Sequence, residues 1–386
     1  MRLNTGSATH LVIKALMLLS FLISMQISAA TELPKLPEIN ARSYLLQDFH
    51  SHRILASKNA DIRIEPASIT KLMTAYVIYK ELEQGKIDKK DLVFISEKAW
   101  RMKGSRMFVE AKKKVPLERL LHGLIIQSGN DAAVALAEHV AGTEASFVEK
   151  MNAEARRLGL NDTHYVNVTG WPAKDHFTTA NDIAKLTRIL ITEYPEHYKL
   201  YKEKEYSYNG IKQYNRNKLL WLDPSVDGVK TGHTDTAGFC LVASANRNGM
   251  RLISVVLGAK SMKERADASQ QLLEYGYRNF ETHKLYKAGG VLENVRIWKG
   301  SAKNMPIGFI NDFYITVPKG SYQRMKGKIQ YPTDVDAPVY RGDKIGKVII
   351  NDGDEVVIEA PLAALNTVAG GGLWRKMTDS MQKVFH

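Results

Sequence analysis

The chain has 386 residues, of which 44% are hydrophobic and 25% charged, with a formal net charge of +13 and a single cysteine, Cys240. This length indicates two domains rather than one, and the single cysteine excludes an internal disulfide, so packing alone must stabilise the core. The positive charge points to an anionic surface such as lipid head groups or cell-wall polymer. The lack of a recognition module argues against nucleic acid.

The first thirty residues have the layout of a secretory signal peptide. Arg2 and Lys14 precede an apolar core at 15–23, and small residues at 28–30 suit a cleavage site. Because the apolar core is too short to span a bilayer, an uncleaved N-terminal anchor is the less favoured alternative. We therefore expect residues 1–30 to be removed and the protein to be exported.

The region from 31 to 280 mixes strand and helix signals. Ala41 to Ala56 predicts two short strands around a polar turn. A helical run follows Pro66 and ends near Gly85, and its nearly uniform apolar character is typical of a buried helix. Further helices are predicted at 117–127, 130–142, 144–158, 179–193 and 263–280.

Strand signals return near the end of this region. The runs 238–245 and 250–257 are β-rich, and the Asn246–Gly249 turn between them is a hairpin signal. Because strands both open and close the region, we predict a sheet built from the two ends of a first domain, residues 31–280.

The remaining chain changes character twice. Short alternating runs predict a small all-β domain over 281–365, without a catalytic cluster. A hinge at 370–372 then leads into a helix within 366–386. One side of this helix is apolar: Leu373, Trp374, Met377, Met381, Val384 and Phe385. The other side is polar: Arg375, Lys376, Asp379, Gln382, Lys383 and His386. Such a helix suits an anionic membrane interface, and packing on its own protein is the alternative.

Three short clusters carry the chemistry. They are Ser68-Ile69-Thr70-Lys71, Ser128-Gly129-Asn130 and Lys230-Thr231-Gly232. Each is weak alone, because a capped helix or a solvated turn would explain it. Together they supply a nucleophilic hydroxyl, two candidate bases, an amide and a second ammonium, which is the set needed to form and hydrolyse an acyl-enzyme.

The first cluster predicts Ser68 as the nucleophile and Lys71 as the general base, since side chains three positions apart share a helix face. At a helix N-terminus the hydroxyl would also lie near amides able to hold an oxyanion. Lys71 acts as a base only when neutral, and lowering its pKa from about 10.4 to about 7 costs on the order of 4–5 kcal/mol. Burial and a nearby cation must supply this, and Lys230 is the predicted cation.

The other clusters would serve the leaving group and the substrate. Ser128 can relay a proton between Lys71 and the leaving amine, and Asn130 can donate its amide to the substrate or to Lys71. The Lys230-Thr231-Gly232 cluster is predicted to open an edge strand, where its ammonium and hydroxyl suit a substrate carboxylate and Gly232 allows close approach of the substrate backbone.

No metal or cofactor is expected. The eleven histidines include no His-Glu-x-x-His or other close ligand pair, and no glycine-rich phosphate loop is present. The histidines at 122, 139, 164 and 176 are interpreted as structural or surface residues. Cys240 lies in an apolar run and is interpreted as a small buried side chain rather than a nucleophile.

The sequence resembles the low-molecular-mass penicillin-binding proteins, specifically the serine-type D-alanyl-D-alanine carboxypeptidases (peptidase S11-like). Three segments carry the resemblance: Pro66-Ala67-Ser68-Ile69-Thr70-Lys71-Leu72-Met73-Thr74, Gln127-Ser128-Gly129-Asn130-Asp131-Ala132 and Asp227-Gly228-Val229-Lys230-Thr231-Gly232-His233-Thr234. The resemblance implies that the D-Ala-D-Ala end of the peptidoglycan stem pentapeptide acylates Ser68, releasing D-alanine before hydrolysis. It also implies inhibition by β-lactams and attachment to the periplasmic face of the inner membrane.

The resemblance further implies an oxyanion hole formed by the N–H groups of Ser68 and His233, with Arg216 and Arg265 as carboxylate partners. The implied fold is an α/β (α+β) transpeptidase and β-lactamase-like domain, with a five-stranded antiparallel sheet and a helical subdomain. A small all-β stalk and a C-terminal amphipathic helix follow. The segment 99–113, which that family places beside the cleft where it affects deacylation, is unusually basic here.

Three alternatives fit the sequence less well. A class A β-lactamase needs a deacylating glutamate in a Glu-x-x-Leu-Asn loop, and Glu154 has the wrong spacing to Leu160-Asn161. A D,D-endopeptidase that cuts peptidoglycan cross-links is the main alternative, although such enzymes usually lack the β-domain and the anchor predicted here. A non-catalytic wall-binding scaffold would be expected to lose a motif residue, and none is lost.

Overall fold

The computed structural model describes residues 34–383; the predicted signal peptide and the last three residues of the predicted helix, Val384, Phe385 and His386, lie outside this range. The strands of the first part of the chain are β1 (Ser43–Asp48), β2 (Ile54–Lys58), β3 (Leu92–Phe94), β4 (Lys114–Pro116), β5 (Glu205–Tyr208), β6 (Ile211–Tyr214), β7 (Val226–Thr234), β8 (Gly238–Arg247) and β9 (Met250–Ala259).

Helices occupy most of the chain between these strands. They are α1 (Lys71–Glu83), α2 (Glu97–Trp100), α3 (Leu117–His122), α4 (Asn130–Ala141), α5 (Glu144–Arg157), α6 (Ala180–Glu193), α7 (Pro195–Tyr198), α8 (Leu219–Leu222) and α9 (Met262–Asn279). Single turns of 3-10 helix lie at Ala67–Thr70 and Lys199–Lys202, and a π turn lies at Gly123–Gln127.

Five strands form one antiparallel sheet in the order β2-β1-β9-β8-β7. The predicted sheet built from both ends of the first domain is confirmed: Leu45 of β1 pairs with Val255 of β9, and Lys230 of β7 pairs with Val242 of β8. β7 lies at an edge of this sheet, so one side of the strand has no neighbour within the sheet.

Apolar side chains pack on both faces of the sheet. Val242 and Val255 belong to a core shared with the helical subdomain, whereas Leu241 and Val256 belong to a second core under α9. Successive strand side chains point to opposite faces, so a strand covered on both sides is apolar throughout its centre. Helix α1 is enclosed in the first core, as predicted, and its Tyr76 is fully buried.

The second part of the chain is all-β, as predicted. Its strands are β10 (Phe280–Tyr286), β11 (Val291–Trp298), β12 (Asn304–Gly308), β13 (Phe313–Pro318), β14 (Met325–Gln330), β15 (Val335–Asp336), β16 (Lys344–Asp352) and β17 (Glu355–Ala364), with a 3-10 turn at Tyr322–Arg324. β10 pairs with β13, and the others form a sheet in the order β14-β16-β17-β12-β11-β15 around a separate apolar core.

A buried polar cluster joins the two parts. Asp48 is fully buried and accepts hydrogen bonds from Ser51 N and from Thr282 Oγ1, both at 2.7 Å. Arg53 donates to Thr316 O, also at 2.7 Å. The turn between β1 and β2 is thereby tied to β10 and β13.

The C-terminal helix α10 (Leu373–Lys383) packs on the β-domain through its polar side. Asp379 is only 3% exposed and accepts hydrogen bonds from Lys299 N at 2.6 Å and from Arg296 at 3.3 Å. The apolar side faces away from the protein, and four of its residues are between 60% and 82% exposed: Leu373, Trp374, Met377 and Met381. Among residues 34–383, no helix combines the length and apolar character needed to cross a bilayer.

Some local structure was not predicted. The short antiparallel pairs β3–β4 and β5–β6 were not predicted, because three or four residues are too few to establish an alternation of apolar and polar side chains. The predicted helix at 117–127 is α3 followed by the π turn. The prediction that the Lys230-Thr231-Gly232 cluster opens its strand is wrong, because the cluster lies in the second half of β7.

Candidate active site

Ser68 lies in the 3-10 turn Ala67–Thr70, directly before α1. In a 3-10 turn the side chains of residues i and i+3 eclipse one another. Accordingly, Lys71 Nζ lies 3.1 Å from Ser68 Oγ. Ser68 is half-buried at the floor of a cleft and Lys71 is fully buried behind it. The predicted pairing of hydroxyl and amine is therefore present in the fold.

Two further oxygens surround the Lys71 amine. Nζ lies 2.7 Å from Asn130 Oδ1 and 2.7 Å from the main-chain oxygen of Thr169. A neutral amine has two N–H donors and one lone pair. When these two oxygens accept its hydrogens, the lone pair is left facing the Ser68 hydroxyl, which is the arrangement that a general base requires.

Burial, assisted by the positive charge of Arg216 and opposed by the carboxylate of Asp131, lowers the pKa of Lys71 to about 7. The sequence predicts Lys230 as the assisting cation. In the structure Lys230 is also buried, and burial and then the charge of Lys71 hold the pKa of Lys230 well below its usual value. Arg216, rather than the predicted Lys230, is thus the cation that assists burial at Lys71, while the charge of Lys71 acts on Lys230.

Ser128 ends the π turn in the left-handed region, with φ 65°. This conformation is uncommon for a residue with a side chain and is found mainly where the surrounding structure requires it. Here it aims Oγ at Nζ of Lys230, which lies 2.8 Å away. Asn130, two residues later, begins α4 and reaches Lys71. The second cluster thus touches both lysines.

Asp131 is a site residue that the motif reasoning did not single out. It is 1% exposed, and its carboxylate accepts hydrogen bonds from the main-chain N–H groups of Met107 at 3.0 Å, Phe108 at 2.9 Å and Val109 at 3.3 Å. Asn130 binds the same segment, because its Nδ2 donates to Lys103 O at 2.7 Å. The basic segment 99–113 is therefore fastened to the second cluster.

β7 passes close to the 3-10 turn Ala67–Thr70, which we call the nucleophile turn because it contains the predicted nucleophile Ser68. A Cβ atom at Gly232 would lie 3.2 Å from Ser68 N, so this position favours glycine. Thr231 is 5% exposed and lines the cleft, as does His233, which is exposed and stacks on Phe239 with ring centroids 3.9 Å apart. The main chain at Ser68 and at Gly232–His233 is thus brought together, as the predicted oxyanion hole requires.

Both predicted arginines line the cleft. Arg265 is 5% exposed and donates to Gly232 O at 3.3 Å and to Cys240 O at 3.4 Å, while Arg216 is exposed. Burial lowers the pKa of Arg265 to about 10; Cys240 opposes this shift and the charge of Arg216 assists it. Within residues 34–383 neither arginine forms an ion pair with a carboxylate, which leaves both charges available to an anionic ligand.

The loop between α5 and α6 supplies the Thr169 oxygen. Gly170 has φ +84°, and a Cβ atom there would lie 1.7 Å from Ala67 O, so only glycine lets the loop pack against the nucleophile turn. Asn167 Oδ1 accepts hydrogen bonds from Thr169 N at 3.1 Å and Gly170 N at 2.8 Å, which shapes the turn. Sequence reasoning missed Thr169 because any residue type can supply a main-chain oxygen.

The three clusters meet in one cleft of about 910 Å³. Its floor carries Ser68, Ser128, Asn130 and Thr231, and Trp171 and Phe239 provide apolar wall. Such a site can acylate a hydroxyl, protonate a leaving amine and hold a carboxylate. Cys240 is fully buried, and burial raises the pKa of its thiol to about 11, in agreement with its interpretation as an inert side chain.

Comparison with known proteins agrees with this geometry. Residues 29–261 match the family model described as D-alanyl-D-alanine carboxypeptidase, and residues 280–369 match that of the penicillin-binding protein 5 C-terminal domain. The D-alanyl-D-alanine carboxypeptidase DacA of Escherichia coli strain K12 is 39% identical over 391 residues, which cover 97% of each chain.

Solved structures of penicillin-binding proteins are also similar to this chain. Penicillin-binding protein 5 from Haemophilus influenzae superposes with a TM-score of 0.83 at 41% identity, covering 86% of this chain and 98% of that one. Penicillin-binding protein D2 from Listeria monocytogenes, in its ampicillin-bound form, gives a TM-score of 0.58 at 28% identity, covering 62% and 98%. The matches support a serine carboxypeptidase over the endopeptidase alternative.

Proposed function

Because this chain belongs to the D-alanyl-D-alanine carboxypeptidase family, we propose that Ser68 is its acylated nucleophile and Lys71 the base that activates it. The substrate is the peptidoglycan stem pentapeptide, from which the enzyme removes the terminal D-alanine. The observation that carries the assignment is the set of contacts at Lys71 Nζ, where two oxygens at 2.7 Å leave the lone pair facing Ser68 Oγ.

In acylation, Lys71 takes the proton of Ser68 while Oγ attacks the carbonyl carbon of the penultimate D-alanine. The developing oxyanion is held by the main-chain N–H groups of Ser68 and His233. The C–N bond then breaks, and the leaving amine receives a proton through Ser128 Oγ, which Lys230 contacts at 2.8 Å. D-Alanine departs and the peptide remains esterified to Ser68.

In deacylation, a water molecule attacks the ester carbon. A basic amine in the site takes its proton, the ester C–O bond breaks and Ser68 recovers its hydrogen. The shortened peptide leaves with a new carboxylate. No metal or cofactor takes part in this scheme, because the two lysines and two serines supply every proton transfer that it requires.

The substrate carboxylate would bind at the end of β7. Thr231 lines that part of the cleft and Lys230 is buried beside it in β7, while Arg216 and Arg265 add charge without a carboxylate partner within residues 34–383. A β-lactam carries a carboxylate beside a strained amide, so it would occupy the same positions and acylate Ser68. Binding of ampicillin by the Listeria monocytogenes neighbour supports this extension to β-lactams.

The test uses D-alanine release from a disaccharide pentapeptide, a cross-linked dimer as competing substrate, and labelling by a fluorescent penicillin. Wild type is expected to release D-alanine from the pentapeptide and leave the cross-link intact. Ser68→Ala is expected to show neither release nor label. Full labelling of Ser68→Ala would refute the assignment of the nucleophile, and faster cleavage of the dimer would favour the endopeptidase.

We also propose that the mature enzyme is exported and lies at the periplasmic face of the inner membrane. The support is the signal-peptide pattern of residues 1–30 and the outward apolar side of α10. The proposed division is a carboxypeptidase domain at 31–280, a β-rich stalk at 281–365, and a hinge with anchor helix at 366–386. Anionic lipid, rather than nucleic acid, is the proposed partner of the basic tail.

A further inference from the structure

One buried histidine joins the loop that carries Thr169 to the nucleophile turn. His176 is 3% exposed, and its Nε2 lies 2.9 Å from the hydroxyl of Thr70, which directly precedes Lys71. We propose that His176 is a positioning residue for acylation, which holds the Thr169 carbonyl against the Lys71 amine. The proposal rests on the roles of Ser68 and Lys71 proposed above.

The hydrogen bonds of the His176 ring indicate which ring nitrogen carries the hydrogen. Val166 N donates to His176 Nδ1 at 3.4 Å, so the ring hydrogen is assigned to Nε2 and Thr70 Oγ1 accepts it. Burial, with a smaller contribution from the charge of His164, lowers the pKa of His176 to about 4. The ring is therefore neutral at the pH at which Lys71 begins to lose its proton. It bridges the loop and the nucleophile turn without adding a charge to the site.

The other hydrogen bonds of the loop reach different partners, and a main-chain pair joins Thr178 to Ile64, four residues before Ser68. Asn167 shapes the turn at Thr169, but it belongs to the loop itself and cannot fix the loop relative to Ser68. Thr74 Oγ1 donates to Val168 O at 2.8 Å and ties the loop to α1 one turn beyond Thr70. His176 reaches the 3-10 turn that contains the nucleophile, which gives it a direct influence on the geometry of Ser68 and Lys71.

The position of the loop controls the basicity of Lys71. Thr169 O accepts from Lys71 Nζ, and Gly170 covers the same region by packing against Ala67 O. Burial is the largest cause of the lowered pKa of Lys71. A loop that is free to move away would admit water to the amine, favour its charged form and raise the pH at which it becomes a base.

The experiment measures the rate of Ser68 acylation by a fluorescent penicillin from about pH 5 to about pH 10, alongside steady-state D-alanine release. His176→Ala is expected to lower the acylation rate by about tenfold or more, because an error of about 1 Å in a reacting pair can cost about a hundredfold. The acid limb of the profile, where the acylation rate rises with pH, should move to higher pH in this variant. The KM for D-alanine release should change little. His176→Gln places an amide N–H near the position of Nε2 and should recover much of the rate.

The matched control is Lys174→Ala, which shortens an exposed side chain of the same loop and should keep the wild-type rate and pH profile. If His176→Ala does not fold, Thr70→Val removes the hydroxyl partner at similar volume and should show the same limb shift. A wild-type rate and profile in these variants would overturn the proposal. So would a lower melting temperature and lower rate without a shift of the acid limb, since that result indicates a structural role alone. Labelling of Ser68→Ala would instead refute the proposed function.

Discussion

Lys230 Nζ lies 2.8 Å from Ser128 Oγ, although 102 positions separate the two residues in the chain. Asn130, two residues beyond Ser128, binds Lys71 at 2.7 Å. The second cluster therefore links the first and the third. Both amines are buried, and the charge of Lys71 helps to hold the pKa of Lys230 well below its usual value, so the site disfavours a state in which both lysines are protonated.

Lys71→Arg is expected to lower the acylation rate by about 10²–10⁴-fold, because a guanidinium cannot become a neutral base near pH 7. In wild type the rate should rise with pH through about 7, where Lys71 loses its proton. The measurement is the rate of penicillin acylation as a function of pH. Lys86→Arg, a change at an exposed lysine beyond α1, is the control; a Lys71→Arg enzyme as fast as wild type would contradict the role.

Ser128→Ala and Lys230→Ala should be strongly coupled. Each single change should raise the activation free energy. If the two side chains act through their 2.8 Å contact, the increase in the double variant should be smaller than the sum of the two single increases, by about 0.5–3 kcal/mol. The measurement is kcat/KM for D-alanine release in all four proteins. Purely additive losses would mean that Ser128 and Lys230 serve separate steps.

Asp131→Asn should have two separate effects, one on stability and one on the pH dependence of acylation. Loss of charge-assisted hydrogen bonds to the 107–109 segment should lower the free energy of unfolding by about 1.5–3 kcal/mol. The Asp131 carboxylate raises the pKa of Lys71, so its removal should lower that pKa and move the acid limb of acylation to lower pH. Urea unfolding and the acylation profile measure these effects.

The control for Asp131 is Asp267→Asn, which removes an exposed i,i+4 partner of Lys263 and should cost about 0–1 kcal/mol. An acid limb of Asp131→Asn at or above that of wild type would show that the carboxylate does not act on Lys71 by its charge. Unchanged stability would show that the segment 107–109 is held by other contacts.

Gly170→Ala should abolish acylation. The new Cβ atom would lie 1.7 Å from Ala67 O, so the loop or the nucleophile turn must move. Gly142→Ala is the matched control, because Gly142 also has a positive φ, 76° against 84°, but open space around it. The control isolates the backbone strain, about 1–2 kcal/mol, without the clash. Equal acylation by the two variants would mean that the loop is not tightly packed there.

Truncation after Gly372 should release an active, soluble carboxypeptidase. The tail exposes Trp374 and its apolar neighbours. The exposed Lys376 adds an attraction to anionic lipid of roughly 1 kcal/mol near the surface, whereas Arg375 and Lys383 pair with Asp379 and Asp336. High salt should weaken binding only in part, because apolar burial remains. Sedimentation with anionic liposomes and D-alanine release are the measurements. Pelleting of the truncated enzyme would place the anchor elsewhere.

Much of this site could be predicted from the sequence because it is local. Ser68 and Lys71 are three positions apart, so any helical turn brings them together. The β-rich runs at 238–245 and 250–257 predict two strands joined by a hairpin turn, and the spacing of Leu373, Trp374, Met377 and Met381 predicts one apolar helix side. Each of these patterns depends on neighbours within a few residues, and each is present in the structure.

The tertiary structure decided the rest. It determined that Arg216 assists burial in lowering the pKa of Lys71, that Asp131 fastens the 107–109 segment, and that a main-chain oxygen at Thr169 accepts from Lys71. No residue type marks a carbonyl that will accept from a lysine 98 positions away. Sequence patterns specify which groups are available, whereas distances between remote segments depend on how two cores and a cleft pack together.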